Sequence, residues 1–193
     1  MATPTLQLAQ VPEADELLAR DPLALLIGML LDQQFPMERA FASPWLLARR
    51  LGVTELDAAA IAAHDPDEFA RLMAGPPALH RYPAAMAGRV QAVCAHVAEA
   101  YGGDAAALWR TAESGAELLR RIKALPGFGE QKARILVALL GKQLGARPPG
   151  WREAAGHYGE EGSRRSVADV TDADSLAAVR AAKQAVKRAA RGA

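Results

Sequence analysis

Leu125-Pro126-Gly127-Phe128-Gly129, followed by Glu130-Gln131-Lys132-Ala133-Arg134-Ile135, places two glycines around one hydrophobic residue between two apolar helical patterns. The first pattern ends at Leu125 and the second begins near Gln131. Glycine tolerates positive φ and close backbone approach. A tight turn that leads into a helix leaves amide N–H groups free, aimed where an anion would sit. Helix, hairpin and helix in this order can hold a phosphate through backbone alone. The stretch therefore predicts nucleic-acid binding without base readout.

Size and composition limit the alternatives. A chain of 193 residues makes one domain or two small lobes. Hydrophobic residues make up 51% of it, enough for a core, and abundant alanine with only 5% aromatics favours helices. The net charge of +1 excludes a globally basic nucleic-acid coat, so DNA contact must come from local patches. Cys94 is the single cysteine, which excludes an internal disulfide and a four-cysteine iron–sulfur cluster and fits a reducing cytoplasm. Met1 to Gln10 is too short and lacks the basic start of a secretory signal. The apolar stretch from Leu23 to Leu31 is too short to span a bilayer.

The periodicity predicts an all-α fold with no sheet. Thr5 to Val11 alternates weakly and reads as an extended arm or short edge strand. Ala14 to Arg20 reads as a helix. Asp21-Pro22 is a cap followed by proline at the first helical position, opening a helix over Pro22 to Gln34 that is apolar nearly all round and so belongs in the core. Further helices are predicted from Pro36 to Leu51, Thr54 to Ala63, Pro66 to Met73 and Ala84 to Tyr101. A short helix capped by Asp104 reaches Trp109. Ser114 opens the helix into the hairpin, and Gln131 to Leu144 follows it. Trp151 to His157 reads as one short helix, Tyr158 to Arg165 as a glycine-rich loop, and Ser175 to Ala190 as a last helix carrying Arg180, Lys183, Lys187 and Arg188.

Two segments carry a family resemblance. Leu125-Pro126-Gly127-Phe128-Gly129 with Ala133 resembles the hairpin of the helix–hairpin–helix DNA glycosylases, the HhH-GPD superfamily of base-excision repair. Leu30-Leu31-Asp32-Gln33-Gln34 resembles that family's Leu-Leu-x-x-Gln segment, and the two lie about ninety residues apart. The likeness covers roughly residues 20 to 155 and is greatest to a small actinobacterial-type branch of HhH-GPD repair proteins, with the endonuclease III-like type of fold. It implies two helical lobes about a groove in a single unit spanning 1–193: lobe one from roughly 36 to 124, lobe two from both termini, with the hairpin at 114–145. It also implies contact with double-stranded DNA by Leu125, Pro126, Gly127, Phe128, Gly129, Gln131, Lys132, Gln33 and Gln34. Gln34 stands where the family's glutamine fills the gap left by an extruded base.

The departures from the family pattern shape the expected chemistry. The position of the family's Schiff-base lysine is Gln131 here, and Lys132 is turned by about 100° from it on a helix. In the window of the family's catalytic aspartate the chain holds Pro148-Pro149-Gly150-Trp151-Arg152-Glu153, so Glu153 is the nearest carboxylate and Asp169 the next. A carboxylate is wanted there because glycosidic cleavage builds positive charge on the sugar, and because a water must be oriented or deprotonated. Glu153 in the first turn of a helix also suits the macrodipole without any catalytic role. Trp151, Tyr158 and His157 are candidates to stack on a flipped base. His80-Arg81-Tyr82 is a candidate phosphate or minor-groove loop, or simply a solvated turn.

The four histidines show no metal-ligand spacing, so no catalytic metal is expected. The family's hairpin carbonyls hold a monovalent cation in some members, and the resemblance extends that option to this chain. The function expected is that of a cytoplasmic, nucleoid-associated monomer in base-excision repair, a monofunctional DNA N-glycosylase with water as nucleophile. The alternative is a non-catalytic helix–hairpin–helix sensor of damaged or abasic DNA, which the missing aspartate favours.

Overall fold

Asp21 opens the helix on which the fold is built. Its Oδ1 accepts from the amides of Leu23 (2.9 Å) and Ala24 (3.1 Å), and its Oδ2 accepts from the amide of Leu56 (2.8 Å). One buried carboxylate thus starts helix α2 (Pro22–Leu31) and ties it to a distant loop. Every residue from Leu23 to Leu31 is buried. The computed structural model describes residues 5–191, and over them the chain is helical with no strand. Part of the Met1 to Gln10 segment therefore lies outside the described residues. Among the described residues, no helix is long and apolar enough to cross a membrane.

The elements before the hairpin pack on one another. Helix α1 (Pro12–Arg20) and α2 lie against α3 (Met37–Leu51), while α4 (Ala58–Ala63) and α5 (Pro66–Ala74) lie against α6 (Pro83–Tyr101). Short helix α7 (Ala107–Arg110) leads to α8 (Gly115–Lys123). Helix α8 packs with α9 (Glu130–Gln143) and α10 (Trp151–Ala155). Two 3-10 turns, Gly156–Tyr158 and Val167–Asp169, cover α9, and α11 (Ala173–Arg191) packs against the second of them.

Helices α1 and α2 bury their apolar faces against α3, and the end of α2 also meets the hairpin. Thr5 to Val11 forms no strand. Its amides at Leu8 and Ala9 donate to Asp15 Oδ1 (2.8 and 2.7 Å), so a side chain takes the place of a partner strand. Residues 54–57 precede α4 instead of belonging to it, since Asp57 is the cap that accepts from the Ala60 amide. Trp151 to His157 is divided at Gly156, where φ of +60° ends α10.

Helix α2 ends at Leu31, three residues before the predicted Gln34. Gln33 turns back to donate to the Leu31 carbonyl (2.8 Å), and Gln34 adopts a left-handed conformation at φ +52°. Pro36, two residues on, restricts the chain before it and opens α3.

Candidate nucleic-acid interface

The hairpin rests on the end of α2. Gly127 has φ +82°, and a Cβ there would lie 2.8 Å from Leu30 Cδ1. Glycine is needed at this position for both reasons. Leu125 and Phe128 are buried, whereas Gly127 and Gly129 are exposed. This corrects the expected contact set: Leu125 and Phe128 anchor the hairpin from beneath, and Pro126, Gly127 and Gly129 form its outer surface.

Gly129 is the N-cap of α9 and supplies no side chain to its amides. The amides of Gly129, Glu130, Gln131 and Lys132 find no acceptor among the described residues, so they are free for an anion. Glu130 in this first turn is matched by Lys123 and by Arg134 (2.8 Å), whose hydrogen bonds hold its carboxyl below the usual carboxylate range. Of the hairpin carbonyls a monovalent cation would use, that of Leu125 accepts from Phe128 (3.1 Å) and that of Gly129 from Ala133 (3.0 Å).

Lys132 points away from the hairpin surface. Its Nζ donates to the carbonyls of Met29 (2.6 Å), Leu30 (3.1 Å) and Asp32 (3.2 Å). The ammonium therefore caps the C-terminus of α2, where unpaired carbonyls and the helix dipole favour a cation. Burial pushes its pKa down to about 8, against the pull of Asp32, so the proton stays on at neutral pH. All three N–H bonds are engaged. Lys132 thus serves as a cap on α2 while bordering the cleft.

The same helix end presents the two glutamines. Gln33 is fixed: its amide nitrogen Nε2 donates to the Leu30 carbonyl (2.7 Å), its Oε1 accepts from Arg89 (3.3 Å), and its carbonyl accepts from His80 Nε2 (2.9 Å). Tyr82 donates its amide to His80 Nδ1 (3.0 Å), which fixes the imidazole as the neutral tautomer with its proton on Nε2. Burial also lowers the pKa of His80. His80 is therefore a buried support and not part of a phosphate loop, whereas Arg81 and Tyr82 beside it are exposed. Of the two glutamines Gln34 is the exposed one, and no described residue hydrogen-bonds its side chain.

Gln33 and Gln34 line a cleft of about 1150 Å³. Its floor is apolar, formed by Met29, Met37, Ile135, Val167 and Val179. Ile135 is half-buried in this floor, while Leu136 to Leu140 behind it are fully buried. Cationic side chains surround it: Arg81, Arg165, Arg180, Lys183 and Lys187. Helix α11 brings the last three across the opening, and Arg180 pairs with Glu38 at the start of α3. Gln131 also faces the cleft, donating to the Tyr158 hydroxyl (2.9 Å), and His157 lies against the Tyr158 ring at 4.1 Å between centroids. Phe35 adds an aromatic face, with the Arg39 guanidinium 4.8 Å from its ring centre.

Three other expected site residues are placed elsewhere. Trp151 is buried against α9, where a Cβ on Gly141 would approach its ring to 2.3 Å, so it packs a helix pair and cannot stack on a base. Glu153 is exposed on α10 and does not line the cleft. Asp169 is consumed by structure. Its Oδ1 accepts from Lys142 (2.6 Å), and its Oδ2 accepts from the amides of Arg165 (2.9 Å) and Ser166 (3.2 Å), completing a capping box. Phe35, Arg165 and the carboxylate of Asp32 are cleft residues that sequence reasoning did not single out, whereas Arg81 was expected in a phosphate or minor-groove loop and does line the cleft. Only the position of Asp32 inside the Leu30–Gln34 segment could have signalled it.

No family model matches the chain, and neither the curated proteins nor the solved structures give a match.

Proposed function

We propose that the cleft binds duplex DNA and that the protein is a monofunctional DNA N-glycosylase of base-excision repair with the HhH-GPD type of fold. One observation carries this reading: the unpaired amides of the hairpin and the unrestrained, left-handed Gln34 are held on the same helix end, through Gly127 on Leu30 and Lys132 on Met29. A phosphate gripped by the amides of Gly129 to Lys132 sets the duplex beside Gln34. Gln34 then enters the stack, and the displaced base has the aromatic and apolar surfaces of Phe35, His157 and Ile135 to meet, with the buried Tyr158 supporting them from behind. Extrusion costs a few kcal/mol and is cheapest at damaged pairs, which itself selects lesions. The cations of α11 contact the backbone without reading sequence.

A second reading, a non-catalytic sensor of damaged or abasic DNA, is favoured by the absence of Glu153 and Asp169 from the cleft. Two measurements separate the readings. Binding of a duplex with a central abasic analogue, followed across salt concentration, should show a steep log–log slope under both. Single-turnover base release from duplexes carrying alkylated, deaminated, oxidised or mismatched bases, developed with alkali, is expected only of a glycosylase. Binding without release from any duplex would select the sensor. Binding that ignores salt would sink both.

A further inference from the structure

Asp32 is the cleft carboxylate that the fold does not use. Asp21, Asp57, Asp65 and Asp169 each cap a helix or turn, and Asp15 accepts from two amides. The side chain of Asp32 accepts no hydrogen bond from any described residue, yet it is only partly exposed and lines the cleft. Its place is also electrostatically poor. It follows the last residue of α2, and its own amide donates to the Gly28 carbonyl, so the carboxylate sits at the negative end of the helix dipole. A residue chosen for capping alone would be neutral or cationic there. Desolvation raises its pKa, partly offset by Lys183 and Lys132. Lys132 is committed to backbone carbonyls, and Lys183 reaches in from α11 across the opening.

We propose that Asp32 is the catalytic carboxylate of this cleft, facing the sugar of the extruded nucleotide; the proposal rests on the glycosylase reading above. Its neighbours suit that role, because Gln33 is tied down on one side and Gln34 is free to enter the stack on the other. In the reaction the C1′–N bond breaks and its electron pair leaves with the base. A water forms the new C1′–O bond and gives its proton to Asp32, which returns it to the departing base nitrogen. The products are the free base and an abasic sugar. The negative carboxylate also offsets the positive charge that develops on the sugar as the bond opens.

The test compares wild-type protein with Asp32→Asn and Asp32→Glu, using single-turnover base release on the duplex series above and binding to the abasic-analogue duplex. A positioned base contributes about 10²–10⁴-fold. The expected result is a loss of that size in Asp32→Asn, partial recovery in Asp32→Glu, and unchanged binding to the abasic analogue. Asp32→Asn should also raise the urea midpoint, since it removes a poorly solvated charge from a helix C-terminus, whereas a structural carboxylate would lower it. Wild-type rates in Asp32→Asn, or a lowered midpoint accompanying the loss, would overturn Asp32 and leave the glycosylase reading standing. No release by the wild-type protein would overturn that reading and Asp32 with it.

Discussion

Lys132 Nζ lies 2.6 Å from the carbonyl oxygen of Met29. This bond, with those to Leu30 and Asp32, joins the first turn after the hairpin to the last turn of the buried helix α2. The two segments of the family resemblance thus form one mechanical unit. Lys132→Met keeps the aliphatic stem and leaves three carbonyls without their donor. It should destabilise the fold by about 1–3 kcal/mol, read by urea denaturation. It should also weaken DNA binding, because the hairpin and Gln34 lose their common mount. A variant as stable as wild type would show that the ammonium is not needed as a cap.

The same lysine gives stability a pH dependence of known sign. Its folded pKa is about 8, against 10.5 as its ordinary value. Below pH 8 both states hold the proton, and the cost of burying the ammonium is fully present. Between these values the unfolded chain holds a proton that the folded chain has released, so this contribution to stability rises with pH. The stability difference between wild type and Lys132→Met should therefore shift in favour of wild type from pH 8 to 10. A flat difference would mean that the ammonium is well solvated.

Gln34 should matter for extrusion and little for folding. Its side chain makes no hydrogen bond to any described residue, and its left-handed backbone suits glycine at least as well. Gln34→Gly should fold with stability within about 1 kcal/mol of wild type. It should lose the fluorescence rise that wild type produces in a duplex with 2-aminopurine beside the lesion. A full rise in the variant would remove Gln34 from the wedge role.

Gly141 and Trp151 test the reassignment of the tryptophan. A methyl group at Gly141 would meet the Trp151 ring at 2.3 Å. Gly141→Ala should cost about 1–3 kcal/mol through overpacking. In a protein with Trp45 and Trp109 replaced by phenylalanine, Trp151 emission should not change on adding DNA. Quenching by DNA would return Trp151 to the base pocket.

Lys183 and Lys187 are predicted to neutralise phosphates from α11. Replacing both with glutamine should make the salt slope of duplex binding shallower by about 0.9 for each phosphate no longer neutralised. Thermal stability should be unchanged, because both side chains are exposed. An unaltered slope would place α11 away from the duplex.

Glycines, prolines and capping residues made the helical architecture readable. Asp21-Pro22, Asp65-Pro66 and Ser114 start helices where their sequence pattern says, and Gly127 marks the hairpin by its positive φ, because caps and φ preferences act over a few residues. The side-chain chemistry of the cleft was less legible. Glu153 was favoured by its distance along the chain from the hairpin, but the short α10 turns it to solvent. Trp151 was judged by its chemistry, but the absence of a side chain at Gly141 gives it a slot in the core.

The sequence by itself determined the all-helical class and the hairpin, since both rest on periodicity and local backbone preference. Only the tertiary structure decided that Lys132 faces inward, that Asp169 is spent on Lys142 and a capping box, and that Asp32 is left free between α2, α9 and α11. The physical reason is partnership. Whether a charged group is available for chemistry depends on which distant groups satisfy it, and those partners are set by packing rather than by neighbours along the chain.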